Sequence, residues 1–196
     1  MGRPREFDEQ QALDQALLCF WQHGYEATSV RDLAENMNLT GASLYNAFGD
    51  KRALYRRALE RYVEISIADR IGRLESRKPL AAISGFFAEL IERSLKDPGH
   101  KGCMLVNAAL EMAPRDPELR TLVATVLRRI EAFFLHCVRA GQDDGTITRA
   151  QPAADLARML LGVQLGLRVL ARSRPEPALL HGMVRAAVAS LGPAEA

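Results

Sequence analysis

The stretch of residues 28–51, TSVRDLAENMNLTGASLYNAFGDK, predicts two short helices joined by a tight turn, and this unit decides the fold. Thr28 is the predicted N-cap of the first helix, because its hydroxyl can accept from an unpaired N–H of the first turn. Thr40 is the predicted N-cap of the second helix, in which Leu44 and Phe48 form an inward-facing i, i+4 pair. The apolar positions of the first helix recur at helical spacing, at Val30, Leu33, Ala34 and Met37.

The second helix is short, and its outward positions carry small or polar side chains. A helix of about two turns is unstable alone in water, so tertiary packing must hold it. Short and polar side chains suit a helix that enters the major groove of DNA and reaches base edges there. The pattern therefore predicts a helix-turn-helix unit that binds a double-stranded DNA operator. Its predicted DNA contacts are Thr28, Arg31, Thr40, Gly41, Ala42, Ser43, Tyr45, Asn46 and Lys51.

Residues 33–55, LAENMNLTGASLYNAFGDKRALY, resemble the signature of the TetR family of bacterial transcriptional regulators in order and spacing. The positions that carry the resemblance are Ala34, Leu39, Leu44, Tyr45, Phe48 and Lys51. Gly41, Ala42 and Ala47 depart from the residues commonest in the family, which leaves the operator sequence open. The resemblance implies an N-terminal three-helix DNA-binding unit and a C-terminal helical domain with a small-molecule pocket. It also implies a homodimeric repressor that releases a palindromic operator when the effector binds.

Helical periodicity continues along the rest of the chain, and no stretch alternates with the period of a strand. We therefore predict an all-α fold of about nine helices. The predicted domains are a DNA-binding domain at 1–52 and an effector-binding and dimerisation domain at 53–196. The segment Gly2-Arg3-Pro4-Arg5 is either a disordered terminus or a basic arm that reaches phosphates or the minor groove.

Net charge gives little support for DNA binding, since the formal charge of the chain is +2. Residues 1–62 contain eight Lys and Arg residues against nine Asp and Glu residues. The case for DNA therefore rests on the motif and on the local placement of four basic residues. These are Arg3, Arg5, Arg31 and Lys51.

The residue types and their spacings give no indication of enzymatic chemistry. Cys19, Cys103 and Cys137 are widely spaced, and the four histidines form no i, i+4 pair, so neither a disulfide framework nor a metal site is predicted. The sequence contains no nucleotide-binding or nucleophile-elbow glycine motif, and we expect no cofactor. It also lacks a secretory signal and an apolar run of about 20 residues, so we expect a cytoplasmic protein without a membrane segment. The alternative is a helical enzyme or scaffold with a similar N-terminal unit that does not read DNA.

The resemblance implies a pocket for a small-molecule effector of unknown identity among the middle helices. Asn107 and Glu111 form an i, i+4 polar pair on an otherwise apolar helix, and buried polar groups need partners. The candidate pocket residues are Phe86, Phe87, Cys103, Met104, Asn107, Phe133 and Phe134. The alternative interpretation of these residues is ordinary core packing.

Gly102-Cys103-Met104 resembles a subgroup of the family in which a cysteine at this place senses electrophiles, oxidants or soft metals. A helix N-terminus lowers the pKa of a thiol, and the charge of Lys101 would lower it further. We therefore expect a reactive, solvent-reached thiol at Cys103 and slow, buried thiols at Cys19 and Cys137. The alternative for Cys103 is an inert buried thiol.

The last two predicted helices, residues 153–172 and 176–191, are the most apolar of the chain. Two copies of this pair can form a four-helix bundle that presents recognition helices to half-sites about 34–36 Å apart, or multiples of that. The predicted dimer-interface residues are Met159, Val163, Leu167, Leu170, Leu180, Val184 and Val188. The alternative is that both helices complete the core of a monomer.

Overall fold

The structure, a computed structural model, describes residues 7–192. These residues form nine helices and no strand, which confirms the predicted all-α fold. The helices are α1 (Glu9–His23), α2 (Val30–Asn36), α3 (Gly41–Phe48), α4 (three consecutive segments, Lys51–Val63, a π-helical Glu64–Ala68 and Asp69–Leu74), α5 (Pro79–Leu95), α6 (Met104–Glu111), α7 (Pro117–Asp143), α8 (Ala153–Ser173) and α9 (Pro177–Ala189). The N-terminal segment Gly2–Arg5 lies outside the described residues.

Side-chain caps set the beginnings of the first four helices. They are Asp8 for α1, Ser29 for α2, Thr40 for α3 and Asp50 for α4. The predicted cap at Thr28 is wrong by one residue. The hydroxyl of Ser29 accepts from the N–H of Asp32 at 3.0 Å, and the Asp32 carboxylate accepts from the N–H of Ser29 at 2.8 Å. This reciprocal capping box satisfies two otherwise unpaired donors, which a single hydroxyl at Thr28 cannot do.

Aromatic contacts anchor α1 on α4. The rings of Phe20 and Tyr55 meet edge to face with centroids 5.0 Å apart, and Trp21 and Tyr62 meet similarly at 5.0 Å. Edge-to-face packing adds to the stabilisation that burial of these rings supplies. Because α4 continues past Tyr62, through its π-helical turn and on to Leu74, it connects the DNA-binding unit directly to the rest of the chain.

The second domain packs α5, α7, α8 and α9 around a common core. A proline at the first turn starts three of these helices, at Pro79, Pro117 and Pro177. The starts at Pro79 and at Asp116-Pro117 are those that the sequence pattern predicts, and Asp116 accepts from the N–H groups of Glu118 and Leu119. The core is continuous with that of the DNA-binding unit.

Candidate DNA-binding and effector sites

α3 presents one face to the core and the other to solvent. Leu44 and Phe48 are 0% and 4% exposed, as their i, i+4 spacing predicts. The exposed positions of the helix are Ala42, Tyr45 and Asn46. Tyr45 is 51% exposed, and a Cβ added at Gly41 would meet no atom within 4 Å. The outward face therefore carries small and polar side chains around the phenol of Tyr45, and a helix face of this shape fits into a major groove.

Thr40 and Ser43 hold the beginning of α3. The Thr40 hydroxyl accepts from the N–H of Ser43 at 3.1 Å and donates to the Ser43 hydroxyl at 2.9 Å. These bonds confirm Thr40 as the N-cap. Each hydroxyl can still accept a hydrogen bond, and the cap fixes the direction in which each hydroxyl points. Contacts from Thr40 and Ser43 to base edges stay a prediction.

The two predicted basic DNA contacts, Lys51 and Arg31, differ in whether a carboxylate already binds the side chain. The Lys51 Nζ lies 4.2 Å from the ring centroid of Tyr25, a cation–π contact. Within residues 7–192 Lys51 forms no ion pair. Arg31 is exposed, and its Nε donates to Glu35 Oε1 at 2.8 Å. A phosphate would displace a carboxylate at Arg31 but has no such competitor at Lys51.

Thr28 does not lie on the DNA-facing surface, contrary to the prediction. Its side chain is only 1% exposed, and its hydroxyl donates to the carbonyl of Gly24 at 2.6 Å. That bond closes the turn between α1 and α2. Burial of the hydroxyl in this turn removes it from reach of a duplex.

Several carboxylates of the DNA-binding unit have structural roles. Asp8, Asp32 and Asp50 cap helix N-termini, where the helix dipole favours negative charge. Glu9 pairs with Arg57 at 2.7 Å and Asp14 pairs with Arg61 at 3.0 Å, both between α1 and α4. The balanced charge of this unit therefore includes carboxylates that serve caps and helix packing, so it does not argue against DNA binding.

Two polar links join the DNA-binding unit to the second domain. At the end of α6, the Glu111 carboxylate accepts from the backbone N–H groups of Tyr25 at 3.1 Å and Glu26 at 2.8 Å. Arg52 donates from Nε and Nη2 to the two oxygens of Asp116 at 2.5 and 3.0 Å. Neither link is predictable from the sequence, which suggests a pocket beside Glu111 instead, because partners 64 to 86 positions apart leave no periodic signal.

The predicted aromatic pocket is instead solid core. Phe86, Phe87, Phe133 and Phe134 are at most 5% exposed, and their ring centroids lie 5.0 to 5.9 Å apart in successive contacts. Met104 is likewise 0% exposed. These side chains therefore pack as the alternative interpretation expects, since interiors packed this way leave few voids.

Asn107 connects α6 to its surroundings rather than lining a pocket. Its Nδ2 donates to the carbonyl of Lys101 at 3.3 Å, and its Oδ1 accepts from Arg172 Nη1 at 2.8 Å. A cavity of about 50 Å³ lies next to this region, between α1, α4, α5 and α8. Its polar lining includes Trp21, Tyr62, Arg70, Arg93, Ser94 and Arg168. None of the seven predicted pocket residues lines it.

Cys103 is buried, and the predicted access of solvent to its thiol is wrong, since the residue is 3% exposed. Its sulfur accepts from the Tyr62 hydroxyl at 3.4 Å, and that hydroxyl accepts from Arg168 Nη2 at 2.9 Å. Burial alone raises the pKa of the Cys103 thiol, but the charge of Arg168 and the hydrogen bond from Tyr62 outweigh it, so the pKa lies below its ordinary value. Lys101 does not act as predicted, because its ammonium binds the Asp97 carboxylate.

Cys19 and Cys137 behave as their positions on apolar stripes predict. Both are buried, and burial is the main cause that raises the pKa of each thiol, to about 11 for Cys137. All three cysteines are unpaired thiols. Of the three, only Cys103 has an environment that favours the thiolate.

The predicted dimer residues divide into two groups. Met159, Val163, Leu170, Val184 and Val188 are half-buried in the single chain. Leu167 and Leu180 are 0% exposed, so their assignment to an interface is wrong and they belong to the core of one chain. Val169, which is not among the predicted interface residues, is 49% exposed on α8. A Cβ added at the nearby Gly162 would meet no atom within 4 Å.

Residues 7–192 contain neither a membrane-spanning helix nor a cluster of metal ligands. No helix in this range is both long and apolar enough to cross a bilayer. In the same part of the chain, no group of three or more His, Cys, Asp and Glu side chains is arranged to hold a metal ion.

Comparison with known proteins matches both halves of the chain. Residues 12–58 match the family described as bacterial regulatory proteins, tetR family. Residues 79–187 match the tetracyclin repressor-like C-terminal domain. The HTH-type transcriptional regulator YezE of Bacillus subtilis is 34% identical over 175 residues, which cover 88% of this chain and 90% of YezE. The HTH-type transcriptional repressor ComR of Escherichia coli is 32% identical over 87% of this chain and 82% of its own length.

A solved structure extends the likeness to a DNA complex. It contains a cysteine mutant of the TetR family transcriptional regulator CifR with 26 bp double-strand operator DNA. It superposes with a TM-score of 0.86 at 30% sequence identity, covering 97% of this chain and 100% of that one. The helix-turn-helix geometry, the family matches to both domains and these relatives agree. This chain is therefore a DNA-binding transcriptional regulator that belongs to the TetR family.

Proposed function

We propose that this regulator is a repressor that binds a palindromic operator as a homodimer and releases it when an effector binds the second domain. The observation that carries the proposal is the outward face of α3, small and polar around the half-exposed Tyr45 and followed by Lys51 at the beginning of α4. ComR is a transcriptional repressor, and the CifR mutant binds operator DNA. We place the protein in the cytoplasm, where bacterial DNA is found.

The contacts with DNA separate into two kinds. Tyr45 and Lys51 donate to phosphates, which position the protein but carry no sequence information. Ala42, Ser43 and Asn46 face base edges and set the preferred sequence. Gly41 leaves room for close approach of the helix to the groove wall, since the space around it is open. Within this division, residues 1–52 are the DNA-binding domain and residues 53–196 the effector-binding and dimerisation domain.

Effector binding acts on DNA through the two polar links at the domain junction. Glu111 binds the turn that precedes α2, and Asp116 binds Arg52 in the first turn of α4. A movement of α6 or of the α6–α7 loop therefore pulls on both sides of the helix-turn-helix. In a dimer, such a movement changes the spacing of the two recognition helices, which must match the spacing of the half-sites.

The homodimer forms through the outer surface of α8 and α9. This surface combines the open backbone at Gly162, the exposed Val169 and the half-buried Val163. A symmetric dimer buries the same patch on both subunits, so a small residue at its centre lets the two helices approach closely. The alternative, in which α8 and α9 only complete one chain, accounts for Leu167 and Leu180 but not for the exposed apolar residues.

Cys103 tunes the response in this proposal. Its thiolate is favoured by Arg168 and Tyr62, so an electrophile or peroxide that reaches the buried site reacts there first. A modified sulfur is larger than a thiol and disturbs the packing beside the domain junction. Cys103→Ser keeps the size of the side chain, so it binds operator normally but loses the sensitivity to oxidants.

The test is a binding assay on the DNA that flanks the protein's own gene, with candidate effectors present and absent. A specific complex on a palindromic site, weakened by at least one effector, is the expected result. If the purified protein binds no site better than random DNA, the alternative of a helical enzyme or scaffold with a similar N-terminal unit is favoured instead.

A further inference from the structure

The cavity between α1, α4, α5 and α8 has a lining rich in cations and hydrogen-bond donors. Arg70 comes from the last segment of α4, Arg93 from α5 and Arg168 from α8. The indole Nε1 of Trp21, on α1, is buried there without a hydrogen-bond partner. Buried polar groups are nearly always paired, so an unpaired donor inside a cavity points to a missing acceptor.

Of the two buried arginines of the lining, Arg70 has fewer hydrogen-bond partners than Arg168. It is 5% exposed, and its Nε is buried without a hydrogen-bond partner. Its guanidinium lies over the ring of Phe86, 5.2 Å from the ring centroid, and forms one long ion pair. The Arg70 Nε lies 3.5 Å from Glu89, but that carboxylate is already bound by both Nη atoms of Arg73 at 2.9 Å. Burial lowers the pKa of Arg70, and the like charges of Arg93 and Arg168 lower it further.

Arg168 is buried with neutral partners. It is 9% exposed and donates to the Ser94 hydroxyl at 3.2 Å, the Tyr62 hydroxyl at 2.9 Å and the carbonyl of Gly102 at 2.7 Å. No carboxylate within residues 7–192 pairs with it. The thiol of Cys103 can supply at most one negative charge here. A buried cation without a counter-charge is costly, and the only ion pair of Arg70 within residues 7–192 is with Glu89, a carboxylate that it shares with Arg73.

The carboxylate that lines the cavity does not balance this charge. Asp97 accepts from the backbone N–H and the ammonium of Lys101 and from the N–H of Gly99. Arg93, an exposed residue at the cavity, has no ion-pair partner in the described part of the chain. The lining therefore has a surplus of positive charge, and this charge surrounds the cavity instead of a carboxylate of the chain.

We propose that this cavity is a binding site for a small carboxylate, such as the carboxylate end of a short organic acid. A planar carboxylate matches the planar fork of a guanidinium and accepts from two donors at once. The cavity volume of about 50 Å³ exceeds the roughly 10–15 Å³ needed to hold one water, and it limits a ligand to a few heavy atoms. That room suits the four heavy atoms of acetate. As an effector site it rests on the proposed function; as a binding site it does not.

The backbone beside the cavity supports this assignment. Residues Glu64–Ala68 of α4 form a π-helical turn, and such turns occur frequently at functional sites. Ser66 within this turn lines the cavity, and Arg70 follows it one turn later. The cavity also joins Trp21 of the DNA-binding unit to Arg168 of the second domain. An anion held between them would bind to both halves of the molecule.

Trp21 is the only tryptophan of the chain, so its emission reports on the site directly. The test titrates the full-length protein with sodium acetate in place of sodium chloride at constant ionic strength. We expect a saturable change of Trp21 emission at about 0.1–10 mM, as suits a ligand of four heavy atoms. Saturation-transfer NMR of the acetate methyl group measures binding independently of fluorescence. Acetamide, which has the same shape and no charge, should give neither signal.

Matched variants separate the site from general charge effects. Arg70→Met should weaken acetate binding at least tenfold while keeping the fold, because Glu89 keeps its two hydrogen bonds from Arg73 when Arg70 is replaced. Arg128→Met, at an exposed arginine of α7, should bind acetate within twofold of the wild type. Unchanged affinity in Arg70→Met, or equal signals from acetate and acetamide, would overturn the proposal. So would saturation by inorganic phosphate at lower concentration than acetate.

No DNA is present in this titration, so its result does not depend on operator binding. Acetate binding together with failure to find an operator would uphold the site and count against the proposed function. Operator binding without any acetate signal would uphold the proposed function and exclude the carboxylate site. If acetate binds and also weakens the operator complex, the site is the effector site of the proposed repressor.

Discussion

Arg52 and Asp116 form a bidentate ion pair across the junction between the DNA-binding unit and the second domain. Asp116 is 5% exposed and also caps α7, whereas Arg52 lies in the first turn of α4, next to Lys51. One carboxylate therefore fixes both the beginning of a helix in the second domain and the approach to the DNA-facing surface. Together with Glu111, it makes the position of the helix-turn-helix depend on the loop between α6 and α7.

We predict that Asp116→Asn removes this ion pair but keeps the helix cap, because asparagine is also a good N-cap. The hydrogen bond from Arg52 holds the pKa of Asp116 at about 2, below the value of about 3.9 in an unfolded chain. A lowered folded-state pKa stabilises the protein above about pH 4, and this contribution is lost as the pH falls towards about 2. Urea denaturation should show a loss of about 1 kcal/mol at neutral pH, since Arg52 is half exposed.

The difference in unfolding free energy between wild type and Asp116→Asn should shrink as the pH falls through this window. Glu118→Gln is the matched control, because Glu118 also binds Arg52 but is itself exposed. Its effect should be below about 0.5 kcal/mol. An equal destabilisation by Asp116→Asn at acid and neutral pH would show that the ion pair contributes nothing.

We predict that Lys51→Ala weakens binding to all DNA sites alike and lowers the log–log salt slope by about one unit per protomer. The physical reason is the loss of one phosphate contact and its released counterion. Asn46→Ala should instead change which bases are preferred. Fluorescence anisotropy at several salt concentrations measures both effects. Lys96→Ala, at the exposed C-cap of α5, should leave the slope unchanged. A changed sequence preference in Lys51→Ala would contradict the assignment.

We predict that Val163→Glu gives a folded monomer, because it places a charge at the half-buried outer surface of α8. Leu167→Glu should unfold the chain, because Leu167 is 0% exposed and the new carboxylate would have no partner. Light scattering and circular dichroism distinguish the two outcomes. Leu110→Glu alters an apolar residue that is 73% exposed on α6 and should remain dimeric. A dimer that survives Val163→Glu would place the interface elsewhere.

We predict that iodoacetamide modifies Cys103 of the native protein about tenfold or more faster than Cys137, because the lower pKa gives more thiolate. Graded alkylation followed by mass spectrometry measures the two rates. Arg168→Met removes the charge that favours the thiolate and should reduce the preference. In urea the cysteines should react at similar rates. If Cys103 proves no faster than Cys137 in the native protein, its role as a sensor is excluded.

The sequence by itself determined the features that depend on neighbouring residues. The inward pair of Leu44 and Phe48 and the cap at Thr40 follow from three- and four-residue spacings, which a helix imposes wherever it lies. The Asp116-Pro117 helix start is equally local. The all-α fold and the helix-turn-helix are sums of such patterns, and they were therefore predictable.

Only the tertiary structure decided which distant residues meet. Glu111 lies on the same helix as Asn107, yet its carboxylate binds the turn before α2 rather than a pocket. Arg70 and Arg168, 98 positions apart, line one cavity, although nothing in their own neighbourhoods predicts burial. A helical pattern fixes which face of a helix is apolar. The angle and register at which helices pack, and so the polar groups brought together at their edges, are set by the complementary shapes of the whole core.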